Sequence, residues 1–256
     1  MRMTKIEAVL VTGAADRLGL SIAQALAAHG YKVVLHANRS FEKAQAEAQM
    51  LRQQGLHALA VKGDLLCQND VSTLIAKAAD ALGQPINGLI NNASIFEGDT
   101  AQDFSRDSWD KHFDMHVRVP CELAQAMAFS LPEGVKGSIV NIIDQRVFKL
   151  TPQFFTYTLS KSALATATQT LAQSLAPNVR VNGVAPGPIA RNIRQSEADF
   201  QKQVDATILG LGSPTPEIVD AVLWLLEAQS VTGQVIAVDG GQSLIWRTPD
   251  VDGIVE

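Results

Sequence analysis

Tyr157 and Lys161 stand four residues apart in Tyr157-Thr-Leu-Ser-Lys161, a spacing that puts both side chains on one face of a helix. A phenol with a pKa of roughly 10 is a poor acid or base near neutrality, and an ammonium beside it moves that value down, in the useful direction. The pair therefore predicts proton transfer by a tyrosine whose pKa its lysine lowers. The same spacing also fits an ordinary surface pair, so the surrounding elements must decide. A second candidate is Val9-Leu10-Val11-Thr12-Gly13-Ala14-Ala15-Asp16-Arg17-Leu18-Gly19. Where a strand passes into a helix, Gly13 lets the chain turn tightly and Gly19 lets helix and strand approach. The free N–H groups of the helix N-terminus then suit a pyrophosphate. Two glycines fit a tight turn without a ligand as well. His112 and His116 are also four apart, but no third ligand stands at a motif spacing and Phe113 replaces the glutamate of metalloprotease helices. No metal is expected.

These residues need a scaffold, and the hydrophobic pattern supplies one. Apolar runs at Ala8 to Val11, Val33 to Leu35, Ala58 to Val61, Gly88 to Ile90 and Ile139 to Ile143 alternate with longer helix-like stretches, a βαβ rhythm. Continuous apolarity predicts strands buried on both faces, and crossovers of this length predict a parallel sheet. Val179 to Val184 and Val235 to Val238 bring the expected count to seven strands. Gly30, Gly55 and Gly83 follow helical patterns at positions where a left-handed cap favours glycine. The expected architecture is one α/β domain over residues 1–256, a doubly wound Rossmann-type sheet with helices on both faces. Between Pro186 and Thr215 the chain carries prolines at both ends and a polar amphipathic middle, which predicts a loop-helix lid at about 188–213.

Composition narrows the function. Hydrophobic residues at 46% and charged residues at 18% are ordinary for a compact domain. A net charge of -5 with dispersed Lys and Arg excludes a nucleic-acid surface and speaks against a membrane-surface role. Met1 to Lys5 are polar and run straight into an apolar strand, so neither a signal peptide nor a spanning helix can be drawn and a cytoplasmic protein is expected. Cys67 and Cys121 lie far apart without partners at metal-ligand spacing, consistent with reduced thiols.

Four motifs then combine. Thr12-Gly13-(three residues)-Arg17-(one)-Gly19 follows the first strand and Asn91-Asn92-Ala93-Ser94 the fourth. Tyr157-(three)-Lys161 opens a helix after the fifth, and Pro186-Gly187 follows the sixth. In this order and spacing they resemble the short-chain dehydrogenase/reductase family across essentially the whole chain. The resemblance implies a cofactor site built from Gly13, Arg17, Leu18, Gly19, His36, Asn38, Arg39, Ser40, Asp64, Leu65, Asn91, Ala93, Ser94, Tyr157, Lys161, Pro186, Gly187 and Ile189. Asp64 would touch the adenine, Asn91 and Ala93 would line the cleft, and Ile189 would sit near the nicotinamide amide. NAD-using members usually place an acid at the end of the second strand. Here Ala37 stands there, with Arg39 and Ser40 just beyond, and Arg17 replaces the middle glycine of the first motif. A 2′-phosphate would meet cations, so NADPH is the expected cofactor. The resemblance also implies a homotetramer, with one interface from the Tyr157 helix and another from the last strand and its Val238-Asp239-Gly240-Gly241 exit.

The family's usual serine lies thirteen residues before this tyrosine, where the chain has Asp144. A carboxyl group can accept from or donate to a nitrogen heterocycle and hand a proton towards Tyr157. The sharper resemblance is therefore to pteridine reductases and bacterial dihydromonapterin reductases, which carry aspartate at this point. They share the Thr-Gly-Ala-Ala-(one)-Arg-Leu-Gly form and the His-(two)-Arg-Ser form of the cofactor segments. Phe96 stands where those enzymes stack a pterin against the nicotinamide, and His116 replaces the asparagine of the broader family's proton relay. Relay and packing both fit His116. The resemblance implies catalysis by Asp144, Tyr157 and Lys161, substrate contacts from Arg17, Ser94, Phe96, Asp144 and Tyr157, and reduction of a 7,8-dihydropterin. Two rival readings stay open. A general carbonyl or 3-oxoacyl reductase would set an ionised Asp144 against a developing alkoxide. A catalytically silent NADPH-binding sensor would show no turnover at all.

Overall fold

The computed structural model describes residues 5–189, 196–246 and 248. Seven strands form one sheet in the order β3-β2-β1-β4-β5-β6-β7, and every neighbouring pair is parallel. They are β1 (Ala8–Val11), β2 (Lys32–Ala37), β3 (Ala58–Lys62), β4 (Gly88–Asn91), β5 (Gly137–Ile142), β6 (Val179–Pro186) and β7 (Val235–Val238). Helices α1 (Arg17–Ala28), α2 (Phe41–Gln53) and α3 (Gln68–Leu82) cross over between the first four strands, and Gly30, Gly55 and Gly83 close them with positive φ of 85°, 83° and 66°.

Side chains alternate along each strand, so the continuous apolar runs feed two cores. Val9, Val11, Val33 and Leu35 pack with α1, with α2 and with Ile218 and Val222 of α8 (Thr215–Glu227). Ala8, Leu10, Val34 and Leu89 pack on the opposite face with Leu74 of α3 and Leu123 of α5 (Val119–Ser130). Burial at about 25 cal/mol per Å² of apolar surface makes this double face the principal stabiliser and leaves the strand ends to carry chemistry.

Helix α4 (Arg106–Phe113) does not stop before Pro120. It runs through a π-helical turn, Asp114–Arg118, into α5, where proline occupies the second position. Proline lacks an amide donor, and the wider turn absorbs the missing bond. A 3₁₀ turn, Gln145–Val147, follows β5 and leads to the long α6 (Phe155–Leu175). The expected lid contains α7 (Glu197–Asp205), capped by Ser196, which accepts from the Asp199 amide. Its stretch 190–195 and the polar Met1 to Thr4 lie outside the described residues. Among the described residues no helix is long and apolar enough to cross a membrane.

Candidate active site

The strand order reverses between β1 and β4, and such a switch point opens a crevice at the carboxyl ends of the strands. Gly13 turns out of β1 with φ +64°, and a Cβ there would stand 3.0 Å from Ala93 Cα. At Gly19 a Cβ would lie 2.3 Å from the Gly13 carbonyl oxygen and 2.4 Å from Asn92 Nδ2. Side chains are thus excluded where backbone must come close. Arg17, at the position of the motif's middle glycine, keeps the left-handed conformation with φ 50°, which costs a non-glycine residue roughly 1–2 kcal/mol. Asp16 caps α1 by accepting from the Arg17 amide and pairs with Lys43 at 2.8 Å.

A cleft of about 540 Å³ opens over this turn. Gly13, Arg17, Leu18, Gly19, His36, Asn38, Asp64, Leu65, Ala93, Ser94 and Ile189 line it, all of them expected there, together with Asp16, Ser21, Asn92, Met115 and Thr215, which sequence reasoning missed. His36 is buried and braces the turn: the Gly13 amide donates to Nδ1 at 3.3 Å, and Nε2 donates to the Gly63 carbonyl at 3.1 Å. Burial pulls its pKa down to about 4, so the ring is neutral.

Seven expected cofactor residues do not line the cleft: Asn91, Arg39, Ser40, Pro186 and Gly187, together with Tyr157 and Lys161 on α6. Asn91 is the last residue of β4 and points into the buried layer, donating to Asn141 Oδ1 at 2.8 Å, while Asn141 donates to Thr168 at 2.9 Å. Its neighbour Asn92 faces the cleft and ties the turn together, donating to the carbonyls of Thr12 at 2.9 Å and Gly13 at 3.1 Å. Arg39 and Ser40 are exposed just beyond β2. Pro186 ends β6, and the Gly187 amide donates to Val238 O and Ser213 Oγ, which ties the start of the lid to the sheet.

The expected acid-base residues lie beyond Ser94. Tyr157, on α6, donates its hydroxyl to Asp144 Oδ2 at 2.9 Å. Asp144 caps the 3₁₀ turn by accepting from the Arg146 amide at 2.9 Å, and Arg146 Nη1 lies 3.3 Å from both carboxylate oxygens. The phenol is 5% exposed. Burial and the Asp144 carboxylate push its pKa well above 10, against opposing help from Arg146 and a Ser94 hydrogen bond. The expectation that Lys161 lowers the tyrosine is thereby corrected. Lys161 shares the helix face, but its ammonium is 2% exposed and donates to the Ile142 carbonyl at 2.8 Å, 5.8 Å from the phenol ring centroid. Burial brings the lysine itself down to about 8.

Two histidines form the wall behind Tyr157. His112 Nδ1 lies 2.7 Å from Thr156 Oγ1, and one turn on His116 Nδ1 lies 2.8 Å from Ser160 Oγ. The Ile95 amide donates to His116 Nε2 at 3.2 Å, so Nδ1 carries the proton and donates to Ser160, which donates to the Tyr157 carbonyl at 2.7 Å. The π-helical turn aims this ring, and burial with Lys161 and His112 nearby holds it well below 6.5. Phe96 stacks on Phe154 at 4.4 Å between centroids and meets Tyr157 edge-on at 4.8 Å. One face of Phe96 is therefore already occupied, by a residue with a left-handed backbone at φ 57° that sequence reasoning passed over. Strained conformations of this kind gather at functional sites.

Known proteins agree with this geometry. A crystal structure of FolM alternative dihydrofolate reductase 1 from Brucella suis in complex with NADP superposes with a TM-score of 0.92 at 47% identity, covering 96% of this chain and 98% of that one. Cyclopentanol dehydrogenase from Comamonas testosteroni is 34% identical over 91% of this chain and 95% of its own. Gluconate 5-dehydrogenase from Gluconobacter oxydans is 32% identical over 91% and 93%. The family model described as short chain dehydrogenase matches residues 7–202. With the glycine turn at the switch point and a tyrosine and lysine on one helix face beside it, the chain belongs to the short-chain dehydrogenase family of oxidoreductases.

Proposed function

We propose that this enzyme is an NADPH-dependent pteridine reductase that converts 7,8-dihydropterins, of the dihydromonapterin, dihydrobiopterin or dihydrofolate type, to tetrahydropterins. The observation that carries the reading is the Tyr157–Asp144 hydrogen bond beside Phe96. A carboxylate there suits a nitrogen heterocycle with N–H donors and disfavours a substrate that develops an alkoxide. The likeness to a FolM dihydrofolate reductase supports the same substrate class.

A dinucleotide fits the cleft because Gly13 and Gly19 leave a cradle that any Cβ would fill. When bound, NADPH supplies the hydride. Arg17 and Arg39 would face its 2′-phosphate, with no acid at Ala37 to oppose it, and Lys161 would hold the ribose. The reduced ring nitrogen must gain a proton as charge develops on it, and Tyr157 is the donor within the site, directly or through a water. Ser94 and Arg17 would meet the polar edge of the ring. The same proposal includes a cytoplasmic homotetramer. Edge strand β7 would supply one interface beside exposed Ile208, Leu209 and Leu244, and α6 the other.

The decisive measurement is the rate of NADPH oxidation with 7,8-dihydropterins, dihydrofolate, oxidised pterins and simple ketones. A dihydropterin should be fastest. Ketones outperforming every pterin would replace the reading with the general carbonyl reductase that the cyclopentanol dehydrogenase likeness favours, and no turnover at all would leave a silent sensor. Calorimetric titration should give NADPH at least about tenfold tighter than NADH, since a charge-assisted hydrogen bond contributes about 1.5–3 kcal/mol. Equal affinities would refute the roles of Arg17 and Arg39.

A further inference from the structure

Arg146 belongs to no motif, yet it touches both Asp144 and the two rings stacked beside Tyr157. Its Nη1 lies 3.3 Å from both oxygens of Asp144, with only 18% and 16% of the two side chains exposed. Its guanidinium carbon lies 5.1 Å from the Phe154 ring centroid and 5.5 Å from that of Phe96. The group is thus wedged between the carboxylate and the stacked ring pair. A planar guanidinium can span a carboxylate and lie against aromatic rings at once, which an ammonium does less well. Its Nε is buried and without a hydrogen-bond partner among the described residues. A donor left in this way is costly, so hydrogen bonding at Nε does not account for its placement.

We propose that Arg146 is the positioning residue of this site, aiming the Asp144 carboxylate at Tyr157 and holding the Phe96 ring in the plane against which the substrate lies. Three donors converge on Asp144: the Arg146 side chain, the Arg146 amide and the Tyr157 hydroxyl. Without the guanidinium, the carboxylate keeps the amide and the phenol but loses the contact that spans both of its oxygens, and its plane is free to rotate. The Phe96–Phe154 stack loses its cover in the same step. Arg146 thereby couples the surface that orients a ring to the pair that moves its proton. The role of Phe96 rests on the pteridine reductase reading, which also supplies the substrate for the rate measurements, whereas the placing of the Asp144 carboxylate against Tyr157 rests on the geometry alone.

The test uses the full-length enzyme and a readout that needs no substrate. The chain has two tyrosines, Tyr31 and Tyr157, so ¹³Cζ-tyrosine labelling yields two NMR signals, and Tyr31→Phe assigns them. Arg146→Gln should shift the Tyr157 signal and leave that of Tyr31, which bonds Glu227 on the far side of the sheet, in place. NADPH affinity should stay within about twofold, whereas kcat on the best substrate should fall about 10- to 100-fold, the cost of misplacing reacting groups. Because Arg146 acts in part through Asp144, Arg146→Gln combined with Asp144→Asn should fall well short of the product of the two single losses, the remaining difference from Asp144→Asn being the part carried by Phe96. Arg146→Lys, which keeps the charge and stem, should give an intermediate Tyr157 shift and carries the same test if the glutamine variant does not fold. An unmoved Tyr157 signal in a folded variant, or rate losses that multiply in the double variant, would overturn the proposal. Failure of wild-type enzyme to reduce any dihydropterin would instead overturn the substrate assignment and leave the NMR result standing.

Discussion

Tyr157→Phe should lower turnover about 10²- to 10⁴-fold, the usual contribution of a positioned acid-base group, and leave NADPH affinity nearly unchanged. The hydroxyl is the group that can reach a substrate atom, because Lys161 is bonded to the Ile142 carbonyl and His116 to Ser94, Ile95 and Ser160. Removing it leaves the ring in its edge contact with Phe96 and leaves Asp144 paired with Arg146, so the cleft keeps its shape. Asp144→Ala should act through the same step. It deletes the acceptor that orients the phenol and strands Arg146 beside two rings, and a loss of about 10²-fold is expected from misalignment alone. Asp144→Ser is the sharper variant, since it installs the family's usual residue. Steady-state rates on a dihydropterin and a ketone decide the matter. If the serine variant kept full dihydropterin turnover, Asp144 would have no part in recognising the heterocycle.

What the sequence disclosed follows from which interactions are local. Continuous apolar runs had to be doubly buried, so all seven strands and their parallel sense were legible, with ends displaced by at most two residues. The glycine turn was legible because backbone contact excludes every other side chain, and the Tyr157/Lys161 spacing because a helix repeats every 3.6 residues. Burial was not legible from that spacing. It reverses the expected tyrosine shift, since a phenol enclosed with a carboxylate resists ionisation whatever shares its helix face. The choice between Asn91 and Asn92 depended on the residue at which β4 ends, and a one-residue step turns a side chain to the other face. Arg146 and Phe154 escaped notice because both lie in irregular segments, whose side-chain directions are set by a 3₁₀ turn and a left-handed residue. The spacing of His112 and His116 gave no hint that both rings would hydrogen-bond across to the Tyr157 helix, at Thr156 and Ser160.

Lys161→Met should abolish most activity and at the same time make the protein more stable. The ammonium is 2% exposed, and burial depresses its pKa from 10.5 to about 8. At pH 7 the folded state therefore carries a charge it disfavours, by about 3 kcal/mol at roughly 1.4 kcal/mol per pH unit. Methionine matches the length and flexibility of the lysine stem without the charge. Its cost is the bond from the ammonium to the Ile142 carbonyl, worth about 1.5–3 kcal/mol, which leaves a net gain of up to about 1.5 kcal/mol. In a domain of this size each kcal/mol raises Tm by about 2–4 °C. The sign with pH follows from linkage. The folded pKa is the lower one, so the unfolded chain binds more protons between about 8 and 10.5, and wild-type stability climbs through that window relative to the variant. Thermal melts of the two proteins should show the variant ahead at pH 7 and the gap closing as pH rises beyond about 8. Wild-type turnover should fall over the same rise if the ammonium is the working form. A variant that melts lower than wild type at pH 7, or a gap indifferent to pH, would mean that the buried charge is compensated and that the site stores no such strain.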